Sequence, residues 1–206
     1  MTMTGINEIV GSAVAMTAAK DIVTLGIDGL GGAGKSTVSE EIRGELEGRG
    51  IHTLLLHIDD FIHPRKVRYD PAYPDWQCYY DLQWRFGYIT ETLGRLKAGR
   101  ESSIDIELYD KDNDSYYTET CSVSGKTVVI AEGIFLQRKE YRGLFDITVY
   151  IDVPEEVRLN RVLKRDTYIG NEQEITDKYS RRYFPAERRY FSEYHPDRTA
   201  DFVIGG

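Results

Sequence analysis

The segment Gly29-Leu30-Gly31-Gly32-Ala33-Gly34-Lys35-Ser36-Thr37 limits what this chain can fold into more than any other stretch. It follows an apolar run from Ile22 to Asp28 and precedes a stretch of helical periodicity from Lys35 to Gly48. A Gly-x-x-x-x-Gly-Lys-Ser pattern between a strand and a helix is the context in which a glycine-rich loop wraps phosphates. Glycines let the backbone turn tightly enough for successive N–H groups to converge on phosphate oxygens, and the helix opening at Lys35 adds the positive end of its dipole. Gly29, Gly31, Gly32, Ala33, Gly34, Lys35, Ser36 and Thr37 are therefore the expected contacts to the polyphosphate of ATP or GTP. Lys35 would reach the β- and γ-phosphates, Ser36 would offer its hydroxyl to Mg²⁺, and Thr37 would support the loop. An ordinary strand-to-helix turn is the bland alternative, and the agreement of motif with context argues against it.

The rest of the chain alternates short apolar runs with longer mixed ones, the pattern of an α/β sheet. Strands are expected at Ile22 to Asp28, Thr53 to Ile58, Thr127 to Glu132, Ile147 to Val153 and Asp201 to Ile204. Their continuous Val, Ile and Leu content suits strands covered on both faces, as in a parallel sheet. Helices are expected at Lys35 to Gly48, Tyr79 to Lys97, Pro154 to Arg165 and Thr176 to Tyr194, with Pro154 as the first helical residue. Ile104 to Tyr109 and Thr118 to Val123 read as a β-hairpin, and Ile6 to Val14 as a short amphipathic helix packed on the domain.

Composition narrows the partners. The net charge of -8, with acidic and basic residues interspersed, gives no long-range attraction for polymeric nucleic acid. Cys78 and Cys121 stand far apart without CxxC or His-rich company, so neither a disulfide framework nor a zinc site is expected, and a reducing cytoplasm fits best. No run of about 18 consecutive apolar residues occurs, and the N-terminus lacks the basic leader of a signal peptide, so no membrane partner is expected.

What is done with the triphosphate depends on acidic groups at the other strand ends, because ligands in open α/β sheets bind beyond the carboxyl ends of the strands. Three runs end in acids: the one before Asp59-Asp60, the one ending Glu132-Gly133, and the one ending at Asp152. Glu132 is the expected acidic partner of Mg²⁺, since Gly133 behind it permits close backbone approach. Asp59 is expected to accept or align the proton of an attacking hydroxyl. Asp152, followed by Val153-Pro154-Glu155-Glu156, reads as a turn or cap residue instead.

Arg158, Arg161 and Arg165 fall at i, i+3 and i+7 and share one helix stripe. With the polar segment Asp166 to Asp177 beyond them they read as a lid carrying guanidinium groups over the phosphates, Arg165 foremost. The alternative is a solvated face paired with Glu155 and Glu156. Aromatic residues from Tyr69 to Tyr88 read mostly as core, with Asp70-Pro71 and Pro74-Asp75-Trp76 placing a few rings and carboxylates on a loop near Asp59.

The set "GLGGAGKST", "HIDDF", "AEGIF", "YIDVPEEVRLNRVLKRD", "YSRRYFPAE" and "TADFVI", in this order, resembles the uridine kinase and phosphoribulokinase family from about Asp21 to Ile204. The resemblance implies a P-loop fold of three layers, a mostly parallel five-stranded sheet like that of nucleoside monophosphate kinases, with a hairpin and a helical lid. The chain is read as one kinase domain over 1–206, with a core at 20–206, an N-terminal helix at 1–19 and a lid at 165–177. The resemblance further implies ATP or GTP as donor, Mg²⁺, and a hydroxyl acceptor such as uridine, cytidine or a related polyol. In the family pattern Asp59 maps to the catalytic base and Glu132 to the residue assisting Mg²⁺. Asp70 is the counterpart of an Asp that holds ribose hydroxyls, and Tyr109-Asp110 matches a Tyr-Asp pair that follows the hairpin strand. The chain departs from the pattern where Asp112, Asn113 and Asp114 stand in place of a base-contacting His, and where Val162 replaces one of two lid arginines.

A nucleotide-dependent switch without an acceptor is the competing class, as is a kinase acting on a vitamin alcohol or a sugar phosphate. A GTPase switch would want an Asn-Lys-x-Asp guanine reader, and no Asn-Lys pair occurs. The reading is of in-line phosphoryl transfer to a small-molecule acceptor by Lys35, Asp59 and Arg165, with Arg161 on the donor side and Asp59, Asp70, Tyr109 and Glu132 on the acceptor side. Assembly as a homo-oligomer is left open.

Overall fold

Five apolar runs settle side by side as parallel strands because their side chains find cover on both faces. The computed structural model describes residues 3–123 and 125–205. Along the chain the strands are β1 (Ile22–Gly29), β2 (His52–His57), β3 (Ser103–Asp110), β4 (Ser115–Ser122), β5 (Thr127–Gly133), β6 (Ile147–Asp152) and β7 (Phe202–Gly205). All but β3 and β4 form one sheet in the order β2-β5-β1-β6-β7, with every neighbouring pair parallel. β3 and β4 make a separate antiparallel hairpin, longer at the turn than the sequence suggests.

The helices are α1 (Met3–Met16), α2 (Lys35–Gly48), α3 (Arg65–Arg68), α4 (Asp75–Asp81), α5 (Phe86–Ala98), α6 (Glu155–Arg165), α7 (Glu172–Lys178), α8 (Phe184–Tyr194) and α9 (Pro196–Thr199). One sheet face carries Val23, Leu25 and Ile27 with Val128 and Ile130, packed under Ile9 of α1 and Ile42 of α2. The opposite face carries Val129 and Ala131 under α5, α8 and the ring cluster of Tyr80, Trp84 and Phe135. The expected N-terminal helix over 1–19 includes Met1 and Thr2, which lie outside the described residues; within α1, Ile6, Ile9, Val10 and Ala13 are buried. Among the described residues no helix is long and apolar enough to cross a membrane.

Two helices differ from expectation for physical reasons. The expected helix 79–97 is two, because residues 83–85 leave helical geometry to pair with residues 61–63. His63 N–H donates to the Gln83 carbonyl at 2.9 Å and Arg85 N–H to the Phe61 carbonyl at 3.0 Å, with an antiparallel bridge between Ile62 and Trp84. Trp84 is 2% exposed among the Tyr79 and Phe135 rings, a burial whose loss to alanine costs about 3–5 kcal/mol. The expected helix 176–194 starts earlier, at Glu172, where Asn171 and Glu174 form a reciprocal capping box. Between α7 and α8 lies a π turn, Tyr179–Tyr183, just before Pro185, whose missing N–H a straight α-helix would not accommodate. Pro154 stands one position before α6 rather than inside it, and no side chain caps that helix.

At the far end of the sheet from the glycine loop, Asp146 binds β1 to β6. Its carboxylate accepts from Thr24 N–H at 3.0 Å and Thr24 Oγ1 at 3.1 Å, and pairs with Lys20 at 2.6 Å and Lys97 at 3.0 Å. Burial pushes this carboxyl up, but the hydrogen bonds and the two lysines outweigh it and hold it at about 2. A depressed carboxylate stabilises the fold above its unfolded pKa and loses that contribution as pH falls through the folded value. Asp146→Asn is therefore expected to lower unfolding free energy by about 2 kcal/mol at pH 7, with the difference shrinking between about pH 4 and pH 2; urea titrations of both proteins across that range check it.

Candidate functional site

The loop between β1 and α2 is shaped from outside by α6. Arg158 Nη1 donates to the Gly31 carbonyl at 3.0 Å, and Arg161 Nη1 donates to the Gly32 and Ala33 carbonyls at 3.3 Å each. In a trans peptide the next N–H points away from the carbonyl, so the amides of Gly32 and Gly34 face the opposite side. The N–H groups of Lys35, Ser36 and Thr37 open α2 and have no intrahelical partner. Gly32 sits at φ +81°, and a Cβ there would lie 2.9 Å from the Arg158 carbonyl oxygen and from Val162 Cγ1. The result is a row of convergent donors above a helix N-terminus, suited to polyphosphate.

Beneath the loop lies a buried ion pair. Glu187 of α8, 1% exposed, accepts from Gly31 N–H at 2.9 Å and from Arg158 Nη1 at 2.7 Å. Burial pushes the Glu187 carboxyl up, with Arg158 and the Gly31 amide acting against it. Asp28 at the end of β1 is equally buried; it accepts from Gly29 N–H at 2.8 Å and from the Tyr190 hydroxyl, and burial raises it too. The sequence gives neither Glu187 nor Asp28 a role of its own, although Glu187 lies in YSRRYFPAE and Asp28 ends the apolar run before the glycine loop.

Parallel register carries Glu132 to the same sheet end, opposite Ile27 on one side and His57 on the other. Its Oε1 accepts from Ser36 Oγ at 3.1 Å and meets His57 Nδ1 at 2.7 Å. Burial pushes the Glu132 carboxyl up, but His57, Lys35 and Ser36 together hold it below the ordinary range, while the Glu132 contact raises His57. Among the described residues no group of three or more His, Cys, Asp or Glu could enclose a metal. One carboxylate beside one hydroxyl is a donor set of the kind Mg²⁺ accepts, since that ion keeps water and phosphate oxygens as its other ligands.

Asp59 lies in a 3-10 turn, Ile58–Asp60, that continues β2. This turn lies against β5 at Gly133, where a Cβ would stand 2.6 Å from Ile58 Cβ, so only glycine allows the approach. Asp59 and Lys35 line one cleft of about 520 Å³, which also takes in Arg65, Arg68, Tyr69 and Lys178. Arg165 lines this cleft and a smaller neighbouring cavity of about 290 Å³, bounded by Gly34, Ser36, Thr37 and Arg161. Arg165 is held by Asp166 at 2.6 and 3.1 Å, and Asp166 in turn accepts from the Tyr179 hydroxyl at 2.6 Å.

The structure does not bring every expected residue to the cleft. Gly29 and Ala33 are buried beneath the loop and line neither cavity. Arg158 is 3% exposed and committed to Glu187 and the loop, so the three-arginine stripe leaves only Arg161 and Arg165 at the surface of the site. Asp70 closes a local turn, accepting from Ala72 N–H at 2.9 Å. Tyr109 is 3% exposed; its hydroxyl accepts from Arg68 at 2.9 Å and donates to Asp114 at 2.5 Å. Val162, which stands where the family pattern has a second lid arginine, packs against Gly32.

Residues 24–192 match the model of the Phosphoribulokinase / Uridine kinase family. A uridine kinase of Staphylococcus haemolyticus is 33% identical over 148 residues, covering 69% of this chain and 68% of its own. A Bacillus stearothermophilus structure described as a possible uridine kinase superposes with a TM-score of 0.80 at 30% identity, over 98% of this chain and 97% of that one. A D-glycerate 3-kinase of Cryptococcus neoformans shares the fold at a TM-score of 0.72 and 13% identity, over 97% and 95% of the two chains.

Breaking the buried pair beneath the loop strands a charge. Arg158→Met is expected to cost about 3–5 kcal/mol in urea unfolding, and the double variant Arg158→Met/Glu187→Gln to recover part of that loss.

Proposed function

This chain belongs to the phosphoribulokinase / uridine kinase family, and from that premise we propose that it transfers the γ-phosphoryl group of ATP or GTP to a hydroxyl of a small polyol. One observation carries the reading: Lys35 of the phosphate loop and the carboxylate of Asp59 line the same cleft. A donor and an acceptor occupying its two ends would meet between them.

In this reading the loop amides and Lys35 bind the β- and γ-phosphates, and Arg161 and Arg165 lie on the donor side. Asp59 takes the proton of the acceptor hydroxyl as its oxygen bonds to the γ-phosphorus, the bond from that phosphorus to the β–γ bridging oxygen breaks, and the nucleoside diphosphate leaves. Ser36 and Glu132 would hold Mg²⁺, which would supply neutralisation of the phosphate charge. Residues 20–206 act as the kinase core, with 165–177 as a lid that keeps water from the transferred group. A uridine or cytidine acceptor draws support from the Staphylococcus haemolyticus uridine kinase, the relative with the greatest share of identical residues described above. An acceptor-free switch would leave Asp59 and the cleft beyond it without a task.

Asp59→Asn is expected to keep nucleotide affinity within about twofold and to lose about 10²-fold or more in turnover. Calorimetry with a magnesium nucleotide and steady-state ADP release check the two halves; near-normal turnover rejects Asp59 as the base. Lys35→Ala should fail on the donor side, with weaker nucleotide binding as well as lost turnover. ADP release that is independent of any acceptor, across nucleosides, sugars and vitamin alcohols, would favour the switch.

A further inference from the structure

Four arginines of the described chain are buried, and they fall into two kinds. Arg158 and Arg138 each face carboxylates, Glu187 in the first case and Glu140 with Asp81 in the second. Arg68 and Arg182 face none. Arg68, 8% exposed on α3, donates from Nε to the His63 carbonyl at 2.5 Å and from Nη2 to the Tyr109 hydroxyl at 2.9 Å. Arg182, 2% exposed in the π turn, donates to the carbonyls of Asp75 and Arg68 at 3.2 and 3.1 Å and to Gln83 Oε1 at 2.9 Å. All these acceptors are neutral. The Asp114 carboxylate stands one group away from Arg68, behind the Tyr109 hydroxyl.

The two guanidinium groups share the ring of Tyr69, at 5.5 Å from Arg68 and 4.3 Å from Arg182. Ring faces ease a buried cation but do not neutralise it. Arg68 lines the cleft that Lys35 and Asp59 share, as do Arg65 and Lys178. Neither of those two makes an ion pair among the described residues either. A guanidinium that is desolvated and held as a fixed fork, as that of Arg68 is, is the group that recognises a carboxylate or a phosphate.

Resting on the kinase reading above, we propose that the acceptor carries an anionic group, a carboxylate or a phosphate, that seats against Arg68 while its hydroxyl faces Asp59. A neutral nucleoside would bring no counter-charge to the Arg68 guanidinium, which donates only to neutral oxygens. The acceptor class is thus a hydroxy acid or a sugar phosphate.

The test is calorimetric titration of the protein saturated with magnesium and a non-hydrolysable ATP analogue, so that the phosphate loop is already filled. The probes are D-glycerate against glycerol, ribose 5-phosphate against ribose, and uridine; the first two pairs separate a carboxylate from a phosphate. At least one anion is expected to bind tenfold or more tightly than its neutral counterpart. Arg68→Gln should abolish that preference, and Arg65→Gln, an exposed site that spares the fold, should weaken it at least threefold. Binding of uridine alone, absence of binding by both anions, or a preference that survives both variants overturns the proposal. ADP release stimulated by uridine and by neither anion also overturns it while leaving the kinase reading intact. Anion binding lost in Arg68→Gln, with no acceptor able to stimulate ADP release, supports the anion site and rejects the kinase reading instead.

Discussion

A backbone loop that grips polyphosphate must have its amides aimed before the ligand arrives, or the ordering cost falls on binding. Here that constraint comes from α6, whose arginines hold the carbonyls of Gly31, Gly32 and Ala33 from behind. The Arg158–Glu187 pair then ties α6 to α8 and to the Gly31 amide in one stroke. Much of the remaining site depends on this anchoring. The π turn before α8 brings Tyr179 and Tyr183 to the cleft wall, and Asp166 links Tyr179 to Arg165. A loop that reads as flexible from its glycines is in this way braced on the side away from its ligand.

The sheet was readable because its strands are covered on both faces, which leaves continuous apolar runs that need no knowledge of neighbours. The bounds of α2 were readable for a related reason: a glycine-rich stop, a lysine start and an apolar stripe all agree. The break at residues 82–85 was not, since what ends that helix is pairing with residues 61–63, distant in sequence. The early start of α7 has a local signature in Asn171 and Glu174, masked by the polarity of a segment that reads as a lid.

The site divides along the same line. Lys35, Ser36, Asp59 and Glu132 stand at strand ends or in a motif, positions that topology alone brings to one edge of a parallel sheet. The buried charges were hidden. Arg158 looked like one member of a surface stripe, and nothing local distinguishes it from Arg161, three residues on, because which guanidinium is swallowed depends on where Glu187 lies in the folded chain. Arg68 and Arg182 likewise sit in basic runs, Arg65-Lys66-Val67-Arg68 and Arg181-Arg182, of a kind that solvent usually surrounds.

The pairing of residues 61–63 with 83–85 has a consequence for descent as well as for shape. It pins the chain directly after Asp59 and releases it again only at α5, so residues 64–82 form an excursion closed at its base. Arg65, Arg68 and Tyr69 all belong to that excursion, while Asp59 stands outside it. Variation in such a segment is confined to its outer residues, because Tyr79 and Tyr80 at its far end pack on Trp84 and Phe135 and must stay in place, while the main-chain pairing at its base holds the reactive carboxylate apart from it.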